Sequence, residues 1–249
     1  MIKIIYIMWL RQIKRYWRSK SRIIGSIGQP MLYLVAMGFG LGGIYQKAGG
    51  GNYIDFLAPG VISQSIMFMA VFNGVDLIWD KQFGFLKETL VAPVSRLEIV
   101  LGRVLGGATI SVIQGILVFL LTLVVGFKPE NLSYLLPSVG LMFLIGLFYA
   151  SLGTAIASLM KDFHGFQLIM NFLIMPSYFL SGALFPLDSA PPALQTIASF
   201  NPLTYGVSGL RQLMAGTVNY SLGIDILILL VLSSITLSIT SYLFTKIEA

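Results

Sequence analysis

Six stretches of this chain run for about twenty residues or more without a single Asp, Glu, Lys or Arg, and they limit what it can fold into. They extend from Ile23 to Gln46, Phe56 to Val75, Val104 to Phe127, Asn131 to Met160, Gly165 to Leu187 and Ile226 to Thr245. A bilayer core about 30 Å thick is crossed by roughly 20 helical residues. In hydrocarbon every backbone N–H and C=O must be satisfied within the segment, which a helix achieves and an open strand does not. The fold expected is therefore all-α, a polytopic membrane protein with six transmembrane helices in a single domain over residues 1–249. Composition agrees, since 56% of the residues are hydrophobic and only 10% charged, against about a quarter charged in soluble domains.

A seventh charge-free window, Ser189 to Leu210, holds Pro191-Pro192 and Asn201-Pro202, which forbid one continuous helix. It reads as a re-entrant hairpin over 186–216, between the fifth and sixth spans, with short helices at Ala193 to Phe200 and Leu203 to Met214. Six spans put both termini on one side. With the N-terminus in the cytoplasm, thirteen basic residues fall inside and only Lys47, Lys128 and Arg211 outside. The positive-inside rule then predicts an inner-membrane protein with both termini cytoplasmic and an extracellular hairpin. Arg11 interrupts the first apolar stretch after Ile4 to Leu10, so no secretory signal is expected.

Residues 1–22 carry their own pattern. At about 100° per residue, Lys3, Arg11, Lys14, Arg15, Arg18 and Arg22 share an arc of about 120°. Ile2, Ile5, Trp9, Ile13, Tyr16 and Trp17 cover the opposite side. This predicts an amphipathic helix in the inner interface, with its aromatic rings at headgroup depth and its basic face toward anionic lipid. An anchor of topology and a lever touching a cytoplasmic partner both fit that pattern.

Within the spans, Gly38, Gly40, Gly42 and Gly43, then Gly102, Gly106 and Gly107, then Gly146, Ala150 and Gly153 allow close helix packing, inside the chain or between copies. Fixed charge is nearly absent; Asp76 lies near the inner end of the second span beside Trp79 and Asp80, where it is expected to pair or snorkel. Ion-coupled transport is correspondingly disfavoured. The uncharged polar residues Gln64, Ser65 and Asn73 in the second span and Asn171, Ser177 and Ser181 in the fifth remain. With Met67, Met69, Phe72 and Phe179 they either line a path for an amphipathic substrate or tie helices together by hydrogen bonds.

Several chemistries are excluded. There is no cysteine and one histidine, so neither a disulfide framework nor a thiolate or histidine metal site is available. Asp162 and His164 share one tight turn but are too few for a metal site. No lysine follows a glycine, as a phosphate-binding loop requires, and Gly-x-Ser-x-Gly and His-Glu-x-x-His are absent. No catalytic, cofactor or metal residues are assigned, and the chain is not expected to be an enzyme. Its net charge of +6 flanks apolar runs, which suits membrane lipid rather than nucleic acid.

One polar island, from Asp80 to Arg103 within residues 79–103, holds seven charged residues between apolar runs. Its segment Gly84-Phe85-Leu86-Lys87-Glu88-Thr89-Leu90-Val91-Ala92-Pro93-Val94-Ser95-Arg96 follows Tyr53-Ile54-Asp55-Phe56-Leu57-Ala58-Pro59-Gly60. Later come Leu180-Ser181-Gly182-Ala183-Leu184-Phe185-Pro186-Leu187, Asn201-Pro202-Leu203-Thr204-Tyr205 and Gly209-Leu210-Arg211. Together these resemble the permease subunits of type-two ABC exporters, particularly those of drug-resistance and nodulation-factor export, over nearly the whole chain.

The resemblance implies a coupling helix in the island that fits a groove on a separate cytoplasmic ATPase, with Phe85, Leu86, Lys87, Glu88, Pro93 and Arg96 as its coupling residues. Leu86, Leu90 and Val91 would fill an apolar socket while Lys87, Glu88 and Arg96 set register. Pro93 would end the helix near Val91. Also implied are two ATPase copies carrying ATP and Mg, a second permease copy in a homodimer, and a central cavity lined by the second and fifth spans beneath the hairpin. Gly25, Gly28 and Pro30 would form a hinge at the start of the first span. Gln64, Met67, Phe72, Asn73, Asn171 and Phe179 are then the translocation-pathway candidates. Their lack of charge favours a hydrophobic or amphipathic substrate, such as a drug, lipid or lipo-oligosaccharide. A polysaccharide-exporting permease of the same architecture and an energy-independent channel or scaffold stay open as alternatives.

Overall fold

A computed structural model describes residues 2–48, 51–91, 93–216 and 220–247, with backbone only at 90 and 132. All regular structure among the described residues is helical. The chain opens with α1 (Ile2–Arg18) and α2 (Lys20–Lys47). It continues through α3 (Tyr53–Phe72), α4 (Val75–Gln82), α5 (Phe85–Val91), α6 (Arg96–Val125) and α7 (Leu135–Leu159). Then follow α8 (Phe163–Ile169), α9 (Met175–Phe179), α10 (Pro192–Ser199), α11 (Pro202–Ala215) and α12 (Leu222–Thr245). Five segments are long and apolar enough to cross a membrane: α2, the α3–α4 run Tyr53–Gln82, α6, α7 and α12.

The α3–α4 run is the central pillar, with Leu57 through Met67 all buried. It approaches its neighbours through small residues. Gly74 and Gly153 bring the α3–α4 junction against α7 so closely that a Cβ on either would collide with backbone. Gly146 of α7 leaves room for the Ser111 hydroxyl of α6, which a Cβ there would meet. By contrast α2 and α12 stand at the periphery and expose Phe39, Ile44, Leu227 and Tyr242. Gly40, Gly42 and Gly43 of α2 face no atom of another element within 4 Å among the described residues.

The fifth expected span is not one helix from Gly165 to Leu187. It runs as α8, a π-helical turn over Met170–Ile174 and α9, then bends through Gly182 at φ 74°. Pro176 explains the interruption: it lacks an N–H and its ring collides with the carbonyl four residues earlier, which the wider π turn accommodates. The path from 163 to 179 rises about 26 Å, slightly short of a bilayer core.

Two further boundaries differ from expectation. The N-terminal helix stops at Arg18, not residue 22, because Ser19 leaves helical geometry at φ −95°, ψ 73°. Lys20 and Arg22 therefore begin α2. Nor does α1 meet only lipid: Met8, Gln12 and Tyr16 are buried, with Met8 and Gln12 lying over Gly102 and Gly106 of α6. Trp9 Nε1 donates to Thr109 Oγ1 of the same helix at 3.0 Å.

Candidate functional site

The polar island is less a loop than a folded corner. After α4, Gly84 at φ 79° turns the chain with no steric penalty from a Cβ. Then α5 runs to Val91, Pro93 follows, and α6 opens on a capping box. The Ser95 hydroxyl accepts from Glu98 N at 3.3 Å, and a Glu98 carboxylate oxygen accepts from Ser95 N at 2.9 Å.

Two cations tie this corner to the bundle. Lys81 Nζ donates to the carbonyls of Ala157, Ser158 and Met160 at 2.9, 2.7 and 3.2 Å, at the C-terminus of α7. Arg96 Nη1 donates to those of Phe244, Thr245 and Ile247 at 3.1, 2.7 and 2.8 Å, at the C-terminus of α12. The last carbonyls of a helix have no partner within it and carry the negative end of its dipole, so a cation there satisfies both needs. The short helix α5 is thus held between the ends of two long ones.

The six coupling candidates divide. Phe85, Lys87, Glu88 and Pro93 lie on the surface, and Val91 is 82% exposed. Leu86 turns inward at 4% exposure, so its apolar contact is within the chain, and Arg96 is committed to α12. The side chain of Leu90 lies outside the described residues.

Behind α5 sits an ion cluster. Asp80 accepts from Arg11 at 3.0 Å, from Arg15 at 3.2 Å and from the buried Arg103. Asp76 pairs with Arg22 at 3.2 Å and with Arg15 at 3.7 Å. Two aspartates of α4 thereby join α1, α2 and α6. The pairing of Asp76 was legible, but Asp80 and Arg103 were read only as charges of a loop. The available signal was spacing: Asp76 and Asp80, like Arg11 and Arg15, lie four apart and share a helix face.

A cavity of 450 Å³ opens among α2, α3, α6 and the α8–π segment. Of the six pathway candidates, Gln64, Phe72 and Asn171 line it. The other three do not. Met67 is fully buried in the core, Asn73 lies against Gly107 of α6, and Phe179 packs beside Tyr178. Gln114, across the cavity, is satisfied by Ser26 through bonds of 2.9 and 3.0 Å. Gln64 is 1% exposed, and neither of its amide atoms has a partner among the described residues.

At the opposite end of the bundle, the motifs Tyr53 to Gly60, Leu180 to Leu187 and Asn201 to Arg211 converge. Tyr53 donates its hydroxyl to Leu184 O at 2.7 Å. Asn201 donates to Ser177 O at 2.6 Å and accepts from Ser177 Oγ at 2.8 Å. Arg211, one of the three basic residues counted outside, is folded into this end of the bundle. It is 3% exposed, donates to Gly182 O at 3.0 Å and Phe56 O at 3.3 Å, and sits 3.9 Å above the Phe56 ring. Asp225, just ahead of the sixth charge-free window, lies in the first turn of α12 and is fully buried against α11.

Residues 4–215 match the ABC-2 type transporter family. This chain belongs to that family. The match runs from the first turn of α1 to the last residue of α11, so the folded corner, the cavity and the converging motifs of this ABC-2 chain all fall inside it. The chain is similar to nodulation protein J of Rhizobium leguminosarum bv. trifolii, with 31% identity over 214 residues, covering 85% of this chain and 78% of the relative. A putative transport permease, ycf38, of Pyropia yezoensis is 33% identical over 226 residues, covering 85% and 73%. Nodulation protein J of Bradyrhizobium diazoefficiens is 29% identical over 204 residues, covering 80% and 76%. It is accordingly a multi-pass membrane permease subunit of the ABC-2 type.

Proposed function

We propose that this permease moves a hydrophobic or amphipathic substrate outward by alternating access, driven by a separate cytoplasmic ABC ATPase. The observation that carries the reading is the tethering of α5. Its exposed Phe85, Lys87 and Glu88 suit an outside groove, and Lys81 and Arg96 pass any displacement to α7 and α12. Packed helices respond to such a push by shifting between discrete arrangements.

ATP and Mg act on the partner: their binding draws two ATPase copies together, and each carries one permease corner with it. In this reading the basic island end faces the cytoplasm of the inner membrane, both termini lie on that side, and the 186–216 hairpin lies outside. A second copy of the chain completes the transporter, and the open glycine face of α2 suits it, because small residues allow close helix contact in lipid.

The cavity supports an amphipathic substrate. Phe68, Met69 and Phe72 give it an apolar wall, and Gln64 and Asn171 offer hydrogen bonds without fixed charge. Reversing Glu88 (Glu88→Arg) tests the coupling step. Like charges opposed at an interface cost several kcal/mol, so efflux of hydrophobic dyes from cells falls at least about tenfold, with membrane insertion unchanged. Unaltered efflux removes Glu88 from the coupling role.

A further inference from the structure

After α6 and the two aspartates have taken their contacts, one face of α1 remains open toward α5. An open cavity of 560 Å³ lies there, with Arg11, Lys14, Arg15 and Arg18 of α1 and the single carboxylate of Asp80, itself taken up by Arg11, Arg15 and Arg103, providing its charge. Ile7, Leu10 and Phe85 provide apolar wall, and both Ile7 and Phe85 are 52% exposed. Positive charge is in excess. Asp76 and Asp80 cannot neutralise the four arginines that surround them, and Lys14 and Arg18 have no acidic partner among the described residues. Beside the cradle, the third side of α1 exposes Ile2, Tyr6 and Trp17, which suits the headgroup and upper acyl region of a bilayer.

We propose that this cradle is a binding site for an anionic phospholipid of the cytoplasmic leaflet. Its phosphate is held by Lys14 and Arg18 with help from Arg11 and Arg15, and its chains run along Leu10 toward Tyr6 and Trp17. The orientation rests on the reading given above, with the island end in the cytoplasm. Guanidinium groups suit phosphate because their planar N–H fork matches its oxygens. The choice of lipid over an acidic protein segment rests on continuity: the charged cradle merges with an exposed apolar and aromatic side, as an amphiphile requires and a soluble acidic surface does not. Phe85 forms one wall, so the bound headgroup touches the same helix that takes up the ATPase.

The test uses the full-length chain in detergent, with lipid retention measured without the ATPase and ATPase co-purification measured in parallel. Native mass spectrometry compares retention of phosphatidylglycerol and phosphatidylcholine with identical chains, for the wild type and for Lys14→Gln/Arg18→Gln. These two residues lie outside the Asp76–Asp80 cluster, so an unchanged unfolding temperature is expected for the variant. Each basic side chain near an anionic headgroup contributes on the order of a fivefold preference. The wild type should therefore favour phosphatidylglycerol at least about tenfold, the double variant should lose most of that preference, and millimolar inorganic phosphate should not displace the lipid.

Equal retention of both lipids, or a double variant that keeps the preference, overturns the proposal. Displacement by inorganic phosphate alone also overturns it, since the site would then be one for a free anion. So does a variant that loses ATPase binding with its lipid preference intact, because the face would then belong to the ATPase. A chain that retains phosphatidylglycerol yet binds no ATPase contradicts the exporter reading and leaves the lipid site standing.

Discussion

Arg96 shows how a side chain's charge can be legible in the sequence while its partners are not. Its charge beside Pro93 marks it as part of the island, and only the fold reveals its bonds to the carbonyls of Phe244 and Thr245 in α12 and of Ile247 just beyond. Hydrogen bonds from charged groups contribute about 1.5–3 kcal/mol each in favourable cases. Arg96→Ala should lower the unfolding temperature by several degrees and, because the tie to α12 is cut, reduce dye efflux more than it reduces ATPase binding. Thermal unfolding in detergent and co-purification check the two parts. Equal loss of efflux and ATPase binding would mean that Arg96 contacts the partner directly. The burial of Arg211 and Asp225 was not legible for a related reason: sequence reports charge but not burial, and both are folded inside by contacts across 155 residues or with another helix.

At the scale of elements, the long helices were the most legible part, because charge-free length is a strong local signal. Observed helices lie within a few residues of four of the six windows, and α6 extends the third by about two turns, from Arg96 to Arg103. The fifth segment was not legible, since Pro176 and Gly182 act through backbone geometry that hydropathy ignores. The π turn matters for the site because it carries Met170 and Asn171 to the cavity wall. With no native cysteine in the chain, accessibility can be read one position at a time. The exposed Asn171, as Asn171→Cys, should react with a small hydrophilic thiol reagent, and Met67→Cys should react at least about tenfold more slowly, since burial blocks access. A reactive position 67 would show that the α3 face is assigned wrongly.

For the whole molecule, the polar connections decide the arrangement. Lys81, Arg96, Asp80 and Arg211 fasten both ends of an otherwise apolar bundle, and none of their partners could be named from the sequence. The peripheral α2, with its exposed Phe39 and open Gly40 and Gly43, is left for lipid or for a second copy. Gly43→Cys should form a disulfide between chains under mild oxidation in membranes if two copies meet along α2. Persistent monomers would place the second copy elsewhere.

The central claim is that the tethered α5 receives a separate ATPase, and co-purification reads it most directly. Co-expressed with its ABC ATPase and extracted at low salt, the tagged wild-type chain should retain the ATPase, and Glu88→Arg should retain at least about tenfold less. A wild-type chain that leaves its ATPase behind, or a Glu88→Arg chain that holds it equally well, would contradict the account.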